Sequence, residues 1–348
     1  MFKILDGVQS ELPSRVAIIG AGFAGLSAAA VLERNSVDYT VFEGANRIGG
    51  RVYAISYEDG CLQHGAEFIN GENNEIFRIA NEKKLTEQYV RDFDLFCRNV
   101  LYGFNGQHLD KSLVNDWLDF VSNIEQQFAV EAEQRSEMSV AERFQQLYEQ
   151  WLSEKEDAQE NKVIFDRLAR LYLTYYEIEW SSPANELALL NFAYWDDGGD
   201  EPRSLTLKKK GFWDILEDIK TKVPVDRIKL NSVILVAWVS GKGPGLISEL
   251  SDQKLIEGLT HHLREAHNWI TDPLVRGSYS YLTPESAKFV PDVFETMAEP
   301  ISLGDKPILC FAGEHTHATM YQTTIGAYES GEREAHRILD YLTVKKPK

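Results

Sequence analysis

The sequence predicts an α/β fold in which a parallel sheet is interrupted by a largely helical α+β insertion. Residues 15–42 contain a strand, a glycine turn, a helix and a second strand, in the order and length of a βαβ unit. Between residues 74 and 180, apolar residues recur at three- and four-residue spacing, as they do on amphipathic helices. Strand-like sequence returns at residues 226–238 and 307–313, and a final helix is predicted over 326–342.

The chain is expected to form two domains, because 348 residues of which 43% are hydrophobic can fill two ordinary cores. One domain contains the sheet and is built from both ends of the sequence, and the other is threaded between them. The predicted segments are 13–90, 223–235 and 305–345 for the sheet domain, and 91–222 and 236–304 for the inserted domain.

The composition is acidic, with 54 acidic and 36 basic residues and a net charge of −18. Nucleic acid is excluded as a partner, because its phosphates would be repelled over most of the surface. A small cation would be attracted, although on charge alone the acidity is explained more simply by solubility. We expect no secretory signal and no membrane span, and the sequence contains only three cysteines, which are widely spaced. We therefore expect a cytoplasmic protein, and the sequence leaves its oligomeric state open.

A glycine-rich turn follows the first predicted strand. Gly20, Gly22 and Gly25 form the pattern GxGxxG, which is a weak signal by itself because such turns are common. In a turn between a buried strand and a helix, Gly20 permits the bend, Gly22 admits a pyrophosphate and Gly25 lets helix and strand pack closely. An ordinary turn is the alternative, and Glu43 at the end of the next strand argues against it. A carboxylate there accepts hydrogen bonds from ribose hydroxyls and repels the 2′-phosphate of NADP.

Two further glycines precede Arg51. Gly49 and Gly50 allow another close backbone approach, and the Arg51 guanidinium can form a charge-assisted contact with a cofactor. Together with the first turn and Glu43, this stretch resembles the N-terminal signature of FAD-dependent amine oxidases, a family that includes the polyamine and monoamine oxidases. The resemblance continues, in the order typical of the family, at residues 64–71, 276–281, 311–316 and 321–331.

The resemblance implies a Rossmann-like FAD-binding domain and a set of positions that contact FAD. The stretch at 64–71 is expected beside the flavin, and the strand that contains residues 230–233 is expected beside the adenine. The last predicted helix would direct its N-terminus at the flavin, where it stabilises the negative charge that the reduced ring gains. Either Thr323 or Thr324 can cap that helix. The implied cofactor-binding residues are Gly20, Gly22, Ala24, Gly25, Glu43, Gly50, Arg51, Glu67, Phe68, Val233, Glu314, Thr323 and Thr324.

The resemblance also implies residues that enclose the substrate. Tyr279 matches a position where an aromatic ring encloses the amine in front of the flavin, and the alternative is that Tyr279 and Tyr281 are core aromatics. The sequence at 277–281 is similar to the spermine and acetylpolyamine oxidase branch. Asn70 departs from the His or Glu that polyamine-selective members often have there, and Glu67 could supply the negative charge instead. The identity of the amine is therefore left open.

The activity that the resemblance implies is the oxidation of an amine, expected to be a polyamine such as spermine, spermidine or an acetylated form. The amine would give a hydride to FAD, and O₂ would reoxidise the flavin with release of H₂O₂. An NAD-dependent dehydrogenase is disfavoured, because the C-terminal motif would have no role in it. No metal site is expected, because the pair His315 and His317 lacks a third ligand at a convincing spacing.

A block that is typical of the family is missing inside the sequence. The family normally continues after the adenine-side strand with further strands, one of which bears a lysine thought to position a water for the reaction with oxygen. Here residues 231–234 run directly into 235–241, which resembles sequence far beyond that block, and a second gap follows 263–266. The lysines at 208–210 are more simply a solvated turn. No catalytic lysine is therefore assigned, and a catalytically impaired FAD-binding protein is the alternative to an active enzyme.

Overall fold

The computed structural model describes residues 15–57, 60–90, 101, 103, 106–134, 136–195, 204–208, 210–232, 269–288 and 293–344. In this part of the chain the strands are β1 (Val16–Ile19), β2 (Tyr39–Phe42), β3 (Ala54–Tyr57), β4 (Gly60–Gln63), β5 (Ile69–Asn70), β6 (Thr86–Val90), β7 (Ser204–Leu207), β8 (Ile228–Lys229), β9 (Ile301–Leu303) and β10 (Lys306–Leu309). The helices are α1 (Phe23–Arg34), α2 (Glu75–Glu82), α3 (Lys111–Ser122), α4 (Ile124–Glu133), α5 (Val140–Glu154), α6 (Ala158–Glu179), α7 (Asn191–Tyr194), α8 (Phe212–Thr221), α9 (Val293–Ala298) and α10 (Thr324–Val344).

A three-stranded parallel sheet in the order β1–β2–β8 confirms the predicted α/β architecture. Val16 at the start of β1 pairs with Tyr39 at the start of β2, so the two strands run in register over four residues. Helix α1 connects them and lies close to the turn that precedes it. A Cβ on Gly25 would lie 2.0 Å from the Gly20 carbonyl oxygen, so only glycine allows this approach of helix and strand.

Helix α10 packs along α1, so residues from both ends of the described chain share one core. The Ser27 hydroxyl donates to the Tyr328 carbonyl oxygen at 2.6 Å. A Cβ on Gly331 would lie 2.0 Å from the Ala24 carbonyl oxygen, because the two helices are in close contact. The buried side chains of this core include Leu26, Val31, Tyr39, Ile69, Ile76, Phe212 and Ile215.

Helices α3 to α6 surround a second, strongly aromatic core. Helix α5 begins with a capping box, in which the Ser139 hydroxyl accepts from the Glu142 N–H at 3.2 Å and the Glu142 carboxylate accepts from the Ser139 N–H at 3.0 Å. Trp117 is fully buried, and its ring contacts those of Phe120, Phe144, Tyr148, Trp151 and Tyr172.

None of the helices in the described ranges is both long and apolar enough to cross a membrane.

The last predicted strand differs from expectation. It was expected over 307–313, but β10 ends at Leu309 and pairs antiparallel with β9. Gly304, at φ +60°, and Asp305 connect the two strands as a two-residue hairpin loop. Beyond Leu309 the chain turns toward α10, where the Gly313 N–H donates to the Ser330 hydroxyl at 2.9 Å. The predicted strand is therefore wrong beyond Leu309, because residue 313 bonds to a helix rather than to a strand.

Other predictions fall partly outside the described residues. The strand expected over 226–238 is observed as β8 at Ile228–Lys229, and Val233 and both proposed joints lie outside the described part. Helix α8 falls inside the segment 91–222 that was assigned to the insertion, yet its buried face packs in the core of the sheet. The segment boundaries therefore stay predictions.

Strands β1 and β10 expose apolar side chains. Ile19 at the end of β1 is 50% exposed, and Ile308 and Leu309 on β10 are 57% and 48% exposed. Ile19 lies on the parallel sheet, and parallel sheets are normally covered on both faces, so its side chain suits a covering layer that the described residues do not provide. Ile308 and Leu309 lie on the antiparallel β9–β10 pair, and antiparallel strands can face water.

Candidate active site

The GxGxxG turn forms the first wall of the candidate site. Gly20 has φ +97°, a conformation that favours glycine, and its N–H donates to the Phe42 carbonyl oxygen at 2.7 Å. Gly22 is the N-cap of α1, where it provides no side-chain cap, and the first turn of the helix has no acidic residue. The N–H groups and the positive end of the dipole of α1 can therefore receive an anion.

The second glycine loop lies directly against the first. The Gly49 N–H donates to the Ala21 carbonyl oxygen at 2.8 Å, and Gly22 and Gly49 form an isolated parallel bridge. A Cβ added to Gly22 would meet only the Gly49 carbonyl oxygen within 4 Å, at 3.9 Å. The two loops therefore leave open space where a phosphate group could approach the backbone.

Glu43 lies at the end of β2, beside this space. Its carboxylate accepts from the Ala21 N–H at 2.7 Å and from the Ala45 N–H at 2.8 Å, and the residue is only 8% exposed. Each of its oxygen atoms keeps a further lone pair that a ribose hydroxyl can use. The Ser232 N–H donates to the Glu43 carbonyl oxygen at 2.8 Å, so the chain that leads to residue 233 passes beside Glu43.

Arg51 links the second glycine loop to two distant segments. Its Nη1 donates to the Ser278 carbonyl oxygen at 2.7 Å and to Glu314 Oε1 at 2.9 Å. The arginine side chain is 37% exposed, whereas that of Glu314 is 6% exposed. Arg51 can therefore present the rest of its guanidinium to a ligand while a buried carboxylate holds one of its nitrogen atoms.

Glu314 is the most extensively bonded carboxylate of the site. Its Oε2 accepts from the Ser280 hydroxyl at 2.6 Å and from the Gln322 N–H at 2.7 Å, and its Oε1 also accepts from the Ser280 N–H at 3.3 Å. Burial opposes ionisation most strongly, but Arg51 and the hydrogen bonds together outweigh it and lower the pKa of Glu314. The carboxylate is therefore an anion that neutralises part of the charge of Arg51.

The N-terminus of α10 meets the same group of residues. The Thr323 hydroxyl accepts from the Gly326 N–H at 3.0 Å, so Thr323 caps the helix and Thr324 is its first residue. Gln322 has φ +70°, and its side chain donates to the Ser280 carbonyl oxygen at 2.8 Å. The sequence left both threonines open as the cap, and the structure selects Thr323.

The stretch at 64–68 packs against the backbone of Arg51. The Ala66 N–H donates to the Arg51 carbonyl oxygen at 3.2 Å. A Cβ on Gly65 would lie 1.7 Å from that same oxygen, so glycine is required for this approach. Glu67 and Phe68 follow in exposed positions, and the Phe68 side chain is 40% exposed. Both side chains are therefore accessible to a ligand beside Arg51.

The three substrate candidates are held by different elements. The Tyr279 hydroxyl donates to the carbonyl oxygen of Glu179 at 3.0 Å, at the end of α6, and Asn70 donates to the Ser204 hydroxyl at 3.3 Å on β7. Within the described residues, no hydrogen bond or ion pair joins Tyr279, Asn70 and Glu67 to one another. Burial, with smaller effects from the Glu179 and Glu314 carboxylates, raises the pKa of Tyr279 to about 12. The phenol therefore stays a neutral donor at physiological pH.

Three site residues were not identified from the sequence. Ser278, Ser280 and Gln322 lie inside the motifs at 276–281 and 321–331, but only the fold brings them to Arg51 and Glu314. The motifs indicated which segments belong to the site, but they did not indicate which residues of these segments contact one another. Within the described residues, no group of three or more His, Cys, Asp or Glu side chains could hold a metal ion, and His317 instead contacts Glu329 at 3.1 Å.

The residues present fit a dinucleotide. An uncapped helix N-terminus, two glycine loops with open space between them and a partly exposed arginine provide the donors that a pyrophosphate needs. Glu43 provides an acceptor about 20 residues after the glycine turn, which is the spacing at which dinucleotide-binding folds place their ribose-binding acidic residue. The N-terminus of α10, which meets Glu314 through the Gln322 N–H, provides a second positive helix end.

Comparison with known proteins identifies the family. The sequence matches the profile of the family described as flavin containing amine oxidoreductase over residues 23–233 and 192–339. It is 36% identical over 137 residues to polyamine oxidase 1 of Oryza sativa subsp. japonica, which covers 33% of this chain and 26% of the relative. It is 27% identical over 198 residues to peroxisomal N(1)-acetyl-spermine/spermidine oxidase of Bos taurus, which covers 51% of this chain and 36% of the relative.

The similarity extends beyond polyamine oxidases. The chain is also 36% identical over 83 residues to the L-amino-acid oxidase of Crotalus adamanteus, over 24% of this chain and 14% of the relative. The matches span only 26% and 36% of the length of these two polyamine oxidase relatives. The two segments that match the family profile nevertheless extend from the start of α1 into α10. With the parallel sheet and the arrangement of its motifs, the chain belongs to the family of flavin-containing amine oxidoreductases.

Proposed function

We propose that this protein binds FAD and oxidises an amine of the polyamine class. The observation that carries the proposal is that Arg51, in the second glycine loop, is bonded through its Nη1 to Ser278 and Glu314. The predicted cofactor-binding motif is thereby in direct contact with the motif similar to the polyamine oxidase branch, which supports one shared site. The similarity to named polyamine oxidases supports the same substrate class.

The residues of the chain have distinct roles in this proposal. The N-terminus of α1 and Arg51 hold the pyrophosphate, and Glu43 accepts hydrogen bonds from the ribose. FAD supplies the hydride acceptor when bound, and O₂ is the proposed final acceptor. The capped N-terminus of α10 stabilises negative charge at the flavin. Ala24, Val233 and Phe68 stay predicted contacts of the cofactor.

Substrate recognition rests on charge and on one aromatic ring. The net charge of −18 attracts a polycation to the protein, and Glu67 can pair with an ammonium group near the flavin. Tyr279 and Asn70 are proposed to enclose the amine, and the neutral phenol of Tyr279 suits an uncharged amine nitrogen. The cytoplasmic location expected from the sequence likewise stays a proposal.

A second candidate function is that of an FAD-binding protein with little turnover. The exposed side chain of Ile19 on the parallel strand β1 favours it, because parallel sheets are normally covered on both faces. A missing covering layer would admit bulk water to the site and weaken the fixed dipoles around the flavin. No residue is assigned as the family lysine, so the water that it is thought to position for the reaction with oxygen would not be held in place.

One experiment separates these functions. The purified protein is incubated with FAD, freed of excess cofactor and examined by visible absorption before and after anaerobic addition of spermine or acetylspermine. Photoreduction of the same sample is the control that bound flavin can be reduced. Bleaching by the amine supports amine oxidation, whereas bleaching by light alone supports the second candidate. A folded protein without flavin absorbance after reconstitution contradicts both.

A further inference from the structure

His317 holds the turn that leads into α10. The sequence considered it only as half of a metal pair with His315, but its ring is bonded on both sides by the protein. Nδ1 accepts from the Met320 N–H at 3.0 Å and from the Thr319 N–H at 3.4 Å. Because both bonds need a lone pair on Nδ1, the contacts assign the ring proton to Nε2. Nε2 lies 3.1 Å from Glu329 Oε2, to which it donates.

Met320 connects this imidazole to the first turn of α10. Its carbonyl oxygen accepts from the Thr323 hydroxyl at 2.6 Å, and the Thr323 oxygen accepts in turn from the Gly326 N–H at 3.0 Å. A Cβ on Gly326 would lie 2.1 Å from the Met320 carbonyl oxygen and 3.1 Å from the Cβ of His317. Both Met320 and Thr323 are buried. The imidazole, the turn and the helix cap therefore form one closely packed unit.

Helix α10 itself provides the other support of the ring. Glu329, the acceptor for Nε2, belongs to this helix, so the imidazole is held between α10 and the turn that precedes it. The side chains of His317 and Glu329 are 20% and 40% exposed. A ring that is bonded at both nitrogen atoms keeps one orientation, because rotation of the ring breaks the contacts on both sides. His317 therefore fixes the path of the turn relative to α10.

From these contacts we infer that His317 is a positioning residue for the N-terminus of α10, and that it thereby raises the reduction potential of bound flavin. The inference rests on the proposed FAD site, in which the positive end of α10 stabilises the negative charge of the reduced ring. The effect of a helix end on a charge falls off within the first turn, so it depends on where that turn is held. Loss of the Nδ1 contacts frees Met320 and loosens the Thr323 cap. The helix end then stabilises reduced flavin less.

The test measures the reduction potential of bound FAD in variants that separate the two nitrogen atoms of the ring. In His317→Asn the amide oxygen can replace Nδ1 as the acceptor, so the potential should stay close to that of wild type. In His317→Gln the longer side chain places its amide toward Glu329, and the turn loses its acceptor. Reduced flavin is then expected to be bound about tenfold less tightly relative to oxidised flavin, a fall of about 30 mV for a two-electron couple. His336→Gln, which alters an exposed histidine of the same helix, is the matched control and should leave the potential unchanged.

A wild-type potential in His317→Gln, or an equal fall in His317→Asn, overturns the inference while the FAD site stands. A wild-type protein that binds no FAD after reconstitution overturns both. If His317→Gln does not fold, two variants of Glu329 replace it. Glu329→Ala removes the acceptor of Nε2 and should lower the potential, whereas Glu329→Gln keeps an amide oxygen there and should not. Equal potentials in these two variants then overturn the inference.

Hydrogen–deuterium exchange of the protein without FAD tests the contact itself. The N–H groups of Thr319 and Met320 should exchange faster in His317→Gln than in wild type, because their acceptor is lost. His317→Asn should restore their protection. Unchanged exchange at both N–H groups in His317→Gln overturns the assigned contact and the inference with it.

Discussion

Gly331 of helix α10 lies directly against Ala24 of α1, and a Cβ at position 331 would stand 2.0 Å from the Ala24 carbonyl oxygen and 2.2 Å from the Ser27 hydroxyl. Both contacts would have to shift, and neither belongs to a long, flexible side chain. The small residue is therefore required by the packing of two helices that are far apart in the sequence. This contact also determines how α10 lies relative to the glycine turn.

The first prediction is that Gly331→Ala destabilises the protein. The added methyl group forces α10 away from α1, and overpacking of this kind costs about 1–3 kcal/mol of unfolding free energy. The measurement is chemical unfolding followed by circular dichroism. Gly277→Ala is the matched control, since a Cβ at that glycine would meet no atom within 4 Å. Equal stability of the Gly331 variant and the wild-type protein would show that the helices pack less closely.

The second prediction concerns Glu43. Replacing it by alanine removes acceptors for the ribose and for two backbone N–H groups, so FAD binding should weaken by about 1.5–3 kcal/mol. Titration of the apoprotein with FAD provides the measurement, and thermal unfolding without FAD reports the purely structural share of the effect. An unchanged dissociation constant would rule out Glu43 as the ribose ligand.

The third prediction concerns pH. Arg51 and the surrounding donors lower the pKa of Glu314 below its ordinary value of 4.5, despite the opposing effect of burial. An ionised Glu314 therefore stabilises the folded state above the pKa of the unfolded chain, and this contribution is lost as the pH falls through the lower folded value. Urea unfolding at several pH values should show wild type more stable than Glu314→Gln near neutrality, with a difference that shrinks below about pH 4.5. A difference that grows toward acid pH would contradict the ion pair.

The fourth prediction concerns the exposed strands. Ile308 is 57% exposed on β10, so Ile308→Thr should reduce aggregation and binding of a hydrophobic dye while leaving the melting temperature almost unchanged. Light scattering and dye fluorescence provide the readout. Val41→Thr is the comparison, because Val41 is fully buried on β2 and its replacement should destabilise the fold. Loss of stability in the Ile308 variant would mean that another part of the protein covers this strand.

The sequence predicted the βαβ unit well, because glycine spacing and apolar runs are local signals. It also indicated the helices between residues 74 and 180, whose pattern follows from one buried face. The predicted end of the last strand at residue 313 was wrong, because Gly313 bonds to Ser330 and this contact depends on tertiary packing. Gly304 and Asp305 are a local sequence signal for a hairpin turn. In the fold this turn decides how the following apolar run pairs, and the run forms only the short strand β10.

The site was predictable as a set of motifs and not as a network. Glu43 and Arg51 follow glycine patterns whose chemistry can be inferred from residue types alone. The bonds of Glu314 to Ser280 and Gln322 join segments that are separated in sequence, and no spacing rule relates them. The position of the Tyr279 hydroxyl at the end of α6 likewise depends on how the helical block meets the sheet domain.

The contact between α1 and α10 has a consequence for the time course of folding. Ser27 and Tyr328 are 301 positions apart, so the hydrogen bond between them closes a very long loop. Contacts of this separation form slowly, whereas the aromatic core of α3 to α6 is built from residues near one another in sequence. During synthesis the helical block can therefore fold first. The glycine turn, although it is made earlier, lacks its contact with α10 until that helix has been synthesised. Cofactor capture becomes a late event, which begins only after α10 has emerged and docked.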